Sequence, residues 1–289
     1  KEFSHFEVSL NKKLLKEIFI YSTPLIIVGF GGIINETIDR FMIVYHFNGT
    51  AEEARSANGI YSANYKLAVL IVLFIQTFRM GAEPFFFKQQ DSKENRVVYA
   101  DVMYWFVGVC AFIFLACMLF INELAHLFIK KQAFFEDERG LYVVPILLLA
   151  NLFLGIYYNL SVWYKLSNNT KFGAFIAIVA AIITIALNVV LIPVYGFVAC
   201  AYITLGVYVF MCLAAYGLGS KYFTIPYQPF KYLLIIGLSV AAWQLNVELN
   251  SHINVISLSI LTKFILLALL LLIIWVLQPK RKKNKFATQ

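Results

Sequence analysis

Glu36, Asp39 and Arg40 stand in the first of two long apolar runs, and Lys66, Arg79 and Glu83 stand in the second. An ionisable side chain at bilayer depth costs at least ~2.5–3.5 kcal/mol on insertion scales, so it is kept where it faces a bundle interior or a water-filled cavity. Glu36 and Arg40 are four apart, which places them on one helical face, and Asp39 lies three from Glu36 on the same side. In the second run Tyr61, Tyr65, Val69, Val72, Gln76, Arg79 and Glu83 recur at steps of three and four, giving one stripe of aromatic and polar groups. Lys66 lies about 100° round from Tyr65, on a neighbouring face. Two chemistries fit. In one, the charges neutralise each other as Asp39–Lys66, Glu36–Arg40 and Arg79–Glu83 pairs. In the other, Lys66, Arg40 and Arg79 present positive charge to an anionic substrate in a cavity, with Tyr65 and Gln76 beside them. Glu36 or Asp39 then binds the proton or cation. Pairing alone does not explain why membrane helices retain so many ionisable groups, which favours the cavity.

Polar residues in later runs extend the set. Thr184 and Asn188 are four apart, and Thr204 falls in the next run. With Asp39 they could offer hard oxygen ligands to a small cation such as Na⁺. The commoner use of such residues is interhelical hydrogen bonding, worth ~0.6–2 kcal/mol each. Asn151, Tyr158 and Ser161 are placed to line the same interior. The four histidines are scattered without HExxH spacing, and neither a P-loop nor a dinucleotide fingerprint is present. The expectation is a protein that is not an enzyme, carries no cofactor beyond a coupling Na⁺ or H⁺, and has no firm metal site. Cys110, Cys117, Cys200 and Cys212 fall inside apolar runs and read as small buried hydrophobes.

The elements that must position these residues follow from composition. Of 289 residues, 61% are apolar and 14% charged. Soluble domains are nearer roughly 45–50% and about 25%, so the chain reads as an all-α polytopic membrane protein. Spans are expected at 19–45, 58–86, 98–121, 142–164, 172–193, 197–218, 230–247 and 256–277. Runs such as Leu266 to Leu277 do not alternate, which excludes a β-barrel. Sixteen of the 24 Lys and Arg residues fall on the starting side and four on the opposite side. That bias puts both ends in the cytoplasm, as an even number of spans requires. Residues 5–17 form an amphipathic segment on that face. Residues 122–141 form the longest outer loop, with an acidic cluster at Glu136, Asp137 and Glu138. The basic tail at 279–289 contacts anionic membrane lipids rather than nucleic acid. The chain starts at Lys1 with no signal peptide before the first span, so it reads as a piece of something longer.

Certain motifs carry a family likeness. Gly59-Ile60-Tyr61-Ser62-Ala63-Asn64-Tyr65-Lys66-Leu67, then Gln76-Thr77-Phe78-Arg79 and Glu83-Pro84-Phe85-Phe86-Phe87, resemble bacterial Wzx-like polysaccharide flippases of the MATE/MurJ-type superfamily. Ile156 to Tyr164 and Leu187 to Phe197, continuing to Ala201 and Thr204, fit the same likeness. The resemblance implies that residues 18–218 are the second six-helix lobe of a two-lobe transporter, with two additional helices over 219–278. It implies a first lobe before Lys1, and that Lys66 and Arg79 are cavity cations. The implied substrate is an undecaprenyl-diphosphate-linked oligosaccharide, moved from the cytoplasmic to the outer leaflet of the inner membrane by alternating access. The implied partners are the first lobe, a glycan polymerase and assembly proteins. Two rivals remain. A multidrug or organic-cation antiporter of the same superfamily needs an acidic, aromatic cavity. A membrane glycan polymerase or ligase needs a large outer loop with Arg and His.

Overall fold

The computed structural model describes residues 11–88, 95–129, 138–252 and 256–279. Those residues form ten helices: α1 (Lys12–His46), α2 (Ala51–Lys88), α3 (Asn95–Leu119), α4 (Ile121–Phe128), α5 (Glu138–Leu160), α6 (Val162–Leu166), α7 (Thr170–Tyr195), α8 (Phe197–Tyr222), α9 (Pro229–His252) and α10 (Ile256–Val276). Among the described residues, eight helical segments are long and apolar enough to cross a bilayer. The protein is therefore an all-helical, multi-pass membrane protein. Its large outward-facing side chains (Phe41, Phe175, Leu213 and Trp275 among them) are apolar because lipid is the solvent they meet.

Local signals fix the boundaries. The side chain of Asn11 accepts from the backbone N–H groups of Lys13 and Leu14 at 3.1 and 3.2 Å, capping α1. The amphipathic stretch expected at 5–17 is described only from residue 11, and from Lys12 it is continuous with the first span. Thr50 and Glu53 form a reciprocal capping box. Glu53 Oε2 accepts from the Thr50 N–H at 2.7 Å, and Thr50 Oγ1 accepts from the Glu53 N–H at 3.2 Å. This starts α2 at Ala51, seven residues before the apolar run, so hydropathy alone sets the boundary late. At 1.5 Å per residue α1 and α2 extend for about 52 and 57 Å, well beyond the ~30 Å hydrocarbon thickness. The expected fourth span is broken at Ser161, where its hydroxyl donates to the Tyr158 carbonyl at 2.6 Å. Between α7 and α8 the only link is Gly196, with φ +63°, a backbone conformation that favours glycine. The acidic cluster at 136–138, apart from the Glu138 backbone, and the tail at 280–289 lie outside the described residues.

Packing sorts the helices into a body and an appendage. α1 lies mainly along α7, α5 against α8 and α2, and α7 against α8. α3 and α5 are the most enclosed spans. At the α1–α7 crossing, a Cβ on Gly31 would sit 3.0 Å from the Ala177 Cβ, so glycine permits the close approach. α9 and α10 dock on α3. Lys263 of α10 reaches Glu123 of α4 at 3.0 Å and lies 4.8 Å from the Phe120 ring centre.

Candidate functional site

Two polar regions occupy the body. The first is sealed. Asp39 on α1 is 2% exposed and meets one side chain from each of three other helices. Tyr61 of α2 and Thr204 of α8 donate their hydroxyls to Oδ2, each at 2.9 Å. The amide of Asn188 on α7 donates to Oδ1 at 2.8 Å. One turn back on the same two helices, the Thr184 hydroxyl lies 2.7 Å from Asn35 Oδ1 and 3.0 Å from the Ala180 carbonyl. The matching four-residue steps, 35 to 39 and 184 to 188, set two polar rungs between α1 and α7. Asn188 Oδ1 and Asn35 Nδ2 are buried without a hydrogen-bond partner.

All the donors around Asp39 are neutral, so its carboxylate is solvated by the protein without being paired to a cation. The expected Asp39–Lys66 pair does not form. Lys66 is exposed, because the face of α2 that carries Tyr61 and Tyr65 is the one packed inward, and Lys66 lies 100° away. Three oxygen-bearing groups around one carboxylate, one of them (Asn188) with an unused acceptor oxygen, have the composition of a small hard-cation site.

The second region is an open cavity of about 610 Å³ bounded by α1, α2, α5, α6 and α8. Its polar lining includes Tyr21, Asn35, Glu36, Gln76, Arg79, Glu83, Tyr157, Tyr158 and Lys165. The Arg79 guanidinium lies 4.0 Å from the Tyr158 ring centre, a cation–π contact. Arg79 Nε donates to Glu83 Oε1 at 3.3 Å, one turn along α2. Lys165 Nζ donates to the same oxygen at 2.8 Å. Here the opposite solution to charge burial is used: cations face a carboxylate directly.

The cavity lies toward the end of the bundle where α1 begins and α2 ends. Asn35 is shared: it lines the cavity and also accepts from Thr184 beside Asp39. A larger concavity of about 730 Å³ lies elsewhere, between α2, α3 and the end of α10. Apart from Asp101 and Gln278 its wall is apolar, including Phe74, Phe78, Trp105 and Phe106, so it lacks the convergent polar chemistry of the smaller one.

Of the residues expected at a cavity, Arg79, Gln76, Tyr158 and Glu36 line it. Arg40, Tyr65, Asn151 and Lys66 do not. The Arg40 guanidinium instead lies 4.8 Å from the ring centre of buried Tyr65. Asn151 is 2% exposed and its amide points to the Ala68 carbonyl at 3.5 Å, an interhelical contact of α5 with α2. Asp39, Thr184, Asn188 and Thr204 are brought together. Sequence reasoning did not pick Lys165, Asn35 and Tyr61 as site residues. Lys165 looked like one more loop lysine; the break at Ser161 turns it into α6 and the cavity. The signal for Asn35 was available, since it stands four residues before Asp39 as Thr184 stands four before Asn188.

No family model, curated protein or solved structure matches the chain.

Proposed function

We propose that this chain is one lobe of an ion-coupled flippase, carrying a lipid-diphosphate-linked oligosaccharide from the cytoplasmic to the outer leaflet of a bacterial inner membrane. The observation that supports the reading is the cavity with Arg79 and Lys165 in its wall and an aromatic platform beneath Arg79. A diphosphate entering a membrane interior loses hydration, and charge-assisted hydrogen bonds to fixed cations offset that loss. Sugars stack on tyrosines, of which Tyr157 and Tyr158 are to hand. With the basic residues concentrated at the end where α1 begins, that end is cytoplasmic. The cavity then faces the leaflet in which the substrate is made. The uncovered apolar flank of α1 (Phe19, Ile26, Phe30 and Ile33) meets a second lobe across the substrate path. Asp39 with Asn188, Thr204 and Tyr61 binds the coupling Na⁺ or H⁺, and Asn35 joins that centre to the cavity. Alternating access alternates which side the cavity faces.

The test uses the full-length protein. Cells depleted of it accumulate lipid-linked glycan on the cytoplasmic side. The wild-type gene restores export, and Arg79→Ala at wild-type abundance does not. No accumulation in a strain without a second flippase overturns the reading.

One observation favours a second reading, export of an organic cation. Glu36 and Glu83 balance Arg79 and Lys165, and the wall is rich in tyrosine. On that reading Glu36→Gln abolishes dye efflux from whole cells while leaving glycan export intact.

A further inference from the structure

Glu83 uses a single oxygen to accept from two cations. Lys165 lies 82 residues away in the chain and contacts Oε1 at 2.8 Å, and Arg79 contacts the same atom through Nε at 3.3 Å. Among the described residues Glu83 Oε2 accepts nothing, and neither Nη of Arg79 has a partner. Two positive charges thus face one negative charge. The contrast within the molecule is Lys263, which meets Glu123 one to one. The Tyr158 ring holds one face of the Arg79 guanidinium and leaves its edge to in-plane oxygens. Lys165 has three N–H donors and, among the described residues, uses one. Lys165 is the more enclosed of the two cations, with its side chain 13% exposed, while those of Arg79 and Glu83 are 30% and 33% exposed. Lys165 is therefore the most enclosed of the three, Arg79 is held by the Tyr158 ring, and Glu83, one-third exposed, has room to turn into the cavity.

We propose that Glu83 is an internal stand-in for a diphosphate: it occupies the anion site formed by Arg79 and Lys165 until the phosphates of the substrate displace it. The inference rests on the flippase reading and adds to it the ligand of Lys165 and the role of Glu83. A carboxylate offers two oxygens and one charge. A diphosphate offers more of both, so it satisfies the unused donors that Glu83 leaves open. The stand-in keeps two cations from being bare in the empty cavity, where an unpaired buried charge is costly. It also weakens substrate binding by the fraction of time it holds the site, which eases release on the far side. Glu36, the other cavity carboxylate, belongs to α1 and is not in ion contact with either cation among the described residues.

The experiment measures equilibrium binding of fluorescent geranylgeranyl diphosphate and of the matching monophosphate to the full-length protein in nanodiscs. Glu83→Gln keeps an acceptor oxygen for Arg79 and Lys165 but removes the competing charge. It tightens diphosphate binding about tenfold, and monophosphate binding by less. Glu83→Ala tightens in the same order, while Arg79→Ala and Lys165→Ala weaken it. If both Glu83 variants bind like wild type or more weakly while the two cation variants still lose affinity, the stand-in is overturned and the flippase reading survives. If wild type, Arg79→Ala and Lys165→Ala bind alike, or none binds, the anion site itself fails and the flippase reading with it. Where the neutral variants do not fold, Glu83→Asp decides. It withdraws the same charge by one methylene, so affinity rises if Glu83 competes and falls or stays if Glu83 only braces the cations.

Discussion

Asp39 and Glu83 are both carboxylates in membrane-spanning helices, and their surroundings solve the same problem in opposite ways. Asp39 is sealed and takes three neutral donors from three helices. Glu83 is one-third exposed and takes two cations. The surroundings therefore differ in charge. Around Asp39 no cation is in ion contact among the described residues, and Arg40 is turned onto Tyr65. Around Glu83, the cluster keeps one positive charge. The first arrangement suits a mobile cation and the second a mobile anion, and Asn35 touches both. A transporter that couples an ion to an anionic cargo needs this pair of regions and a link between them.

The largest effect that would break the comparison is at Asp39. Asp39→Ala strands three buried donors, costs about 3 kcal/mol or more, and abolishes transport. Asp39→Asn keeps most of the packing, so thermal melts of the full-length protein retain a folded transition but lose any stabilisation by Na⁺ over K⁺. If Asp39→Asn transports with wild-type ion dependence, the sealed region is structural only. Next comes Arg79→Ala, expected to lower affinity for a lipid diphosphate about tenfold to a hundredfold with the fold intact. Binding measured in parallel on both variants shows whether the two regions are separable.

Asn35→Ala sharpens the contrast rather than destroying either side. Thr184 keeps its bond to the Ala180 carbonyl, so the stability cost is only about 1 kcal/mol. What disappears is coupling: the effect of Na⁺ or pH on substrate affinity, commonly about 5–150-fold in coupled systems, falls toward none. A variant that remains fully coupled removes Asn35 from the link. The smallest effect belongs to the one-to-one pair outside both regions. Burial opposes ionisation of Glu123, but its own backbone N–H and the nearby Lys263 ammonium outweigh this and hold its carboxyl below the usual range. A depressed carboxyl contributes stability that is complete above its unfolded pKa of about 4.3 and is lost as pH falls through the folded value. With more than half of the Glu123 side chain exposed, screening limits this to under about 1 kcal/mol. Melts at pH 7 and pH 4 should differ slightly less in Glu123→Gln, with transport unchanged.

Much of this was legible before any coordinates. Hydropathy located every span, because lipid leaves no other way to satisfy backbone groups in runs so apolar. Asp39, Thr184, Asn188 and Thr204 could be grouped because polar residues at four-residue steps in apolar helices must find one another. The cavity was less legible. Spacing places Lys66 at the cavity, where Lys165 stands instead, since helical spacing says which residues share a face but not which face packs inward. Lys165 depended on a break at Ser161 that no proline or glycine announces. Arg40 and Tyr65 share a contact, but it is with each other rather than with the cavity.

One further consequence lies in the single-residue link at Gly196. The groups that hold Asp39 from α7 and α8 sit on two arms joined at one pivot, eight residues from each. In the language of multivalent binding, the carboxylate is chelated. With one arm engaged, the other stays at high effective concentration, so losing a single bond leads to rebinding rather than escape. Release of α1 from this grip is then one cooperative event rather than a series of independent bond losses.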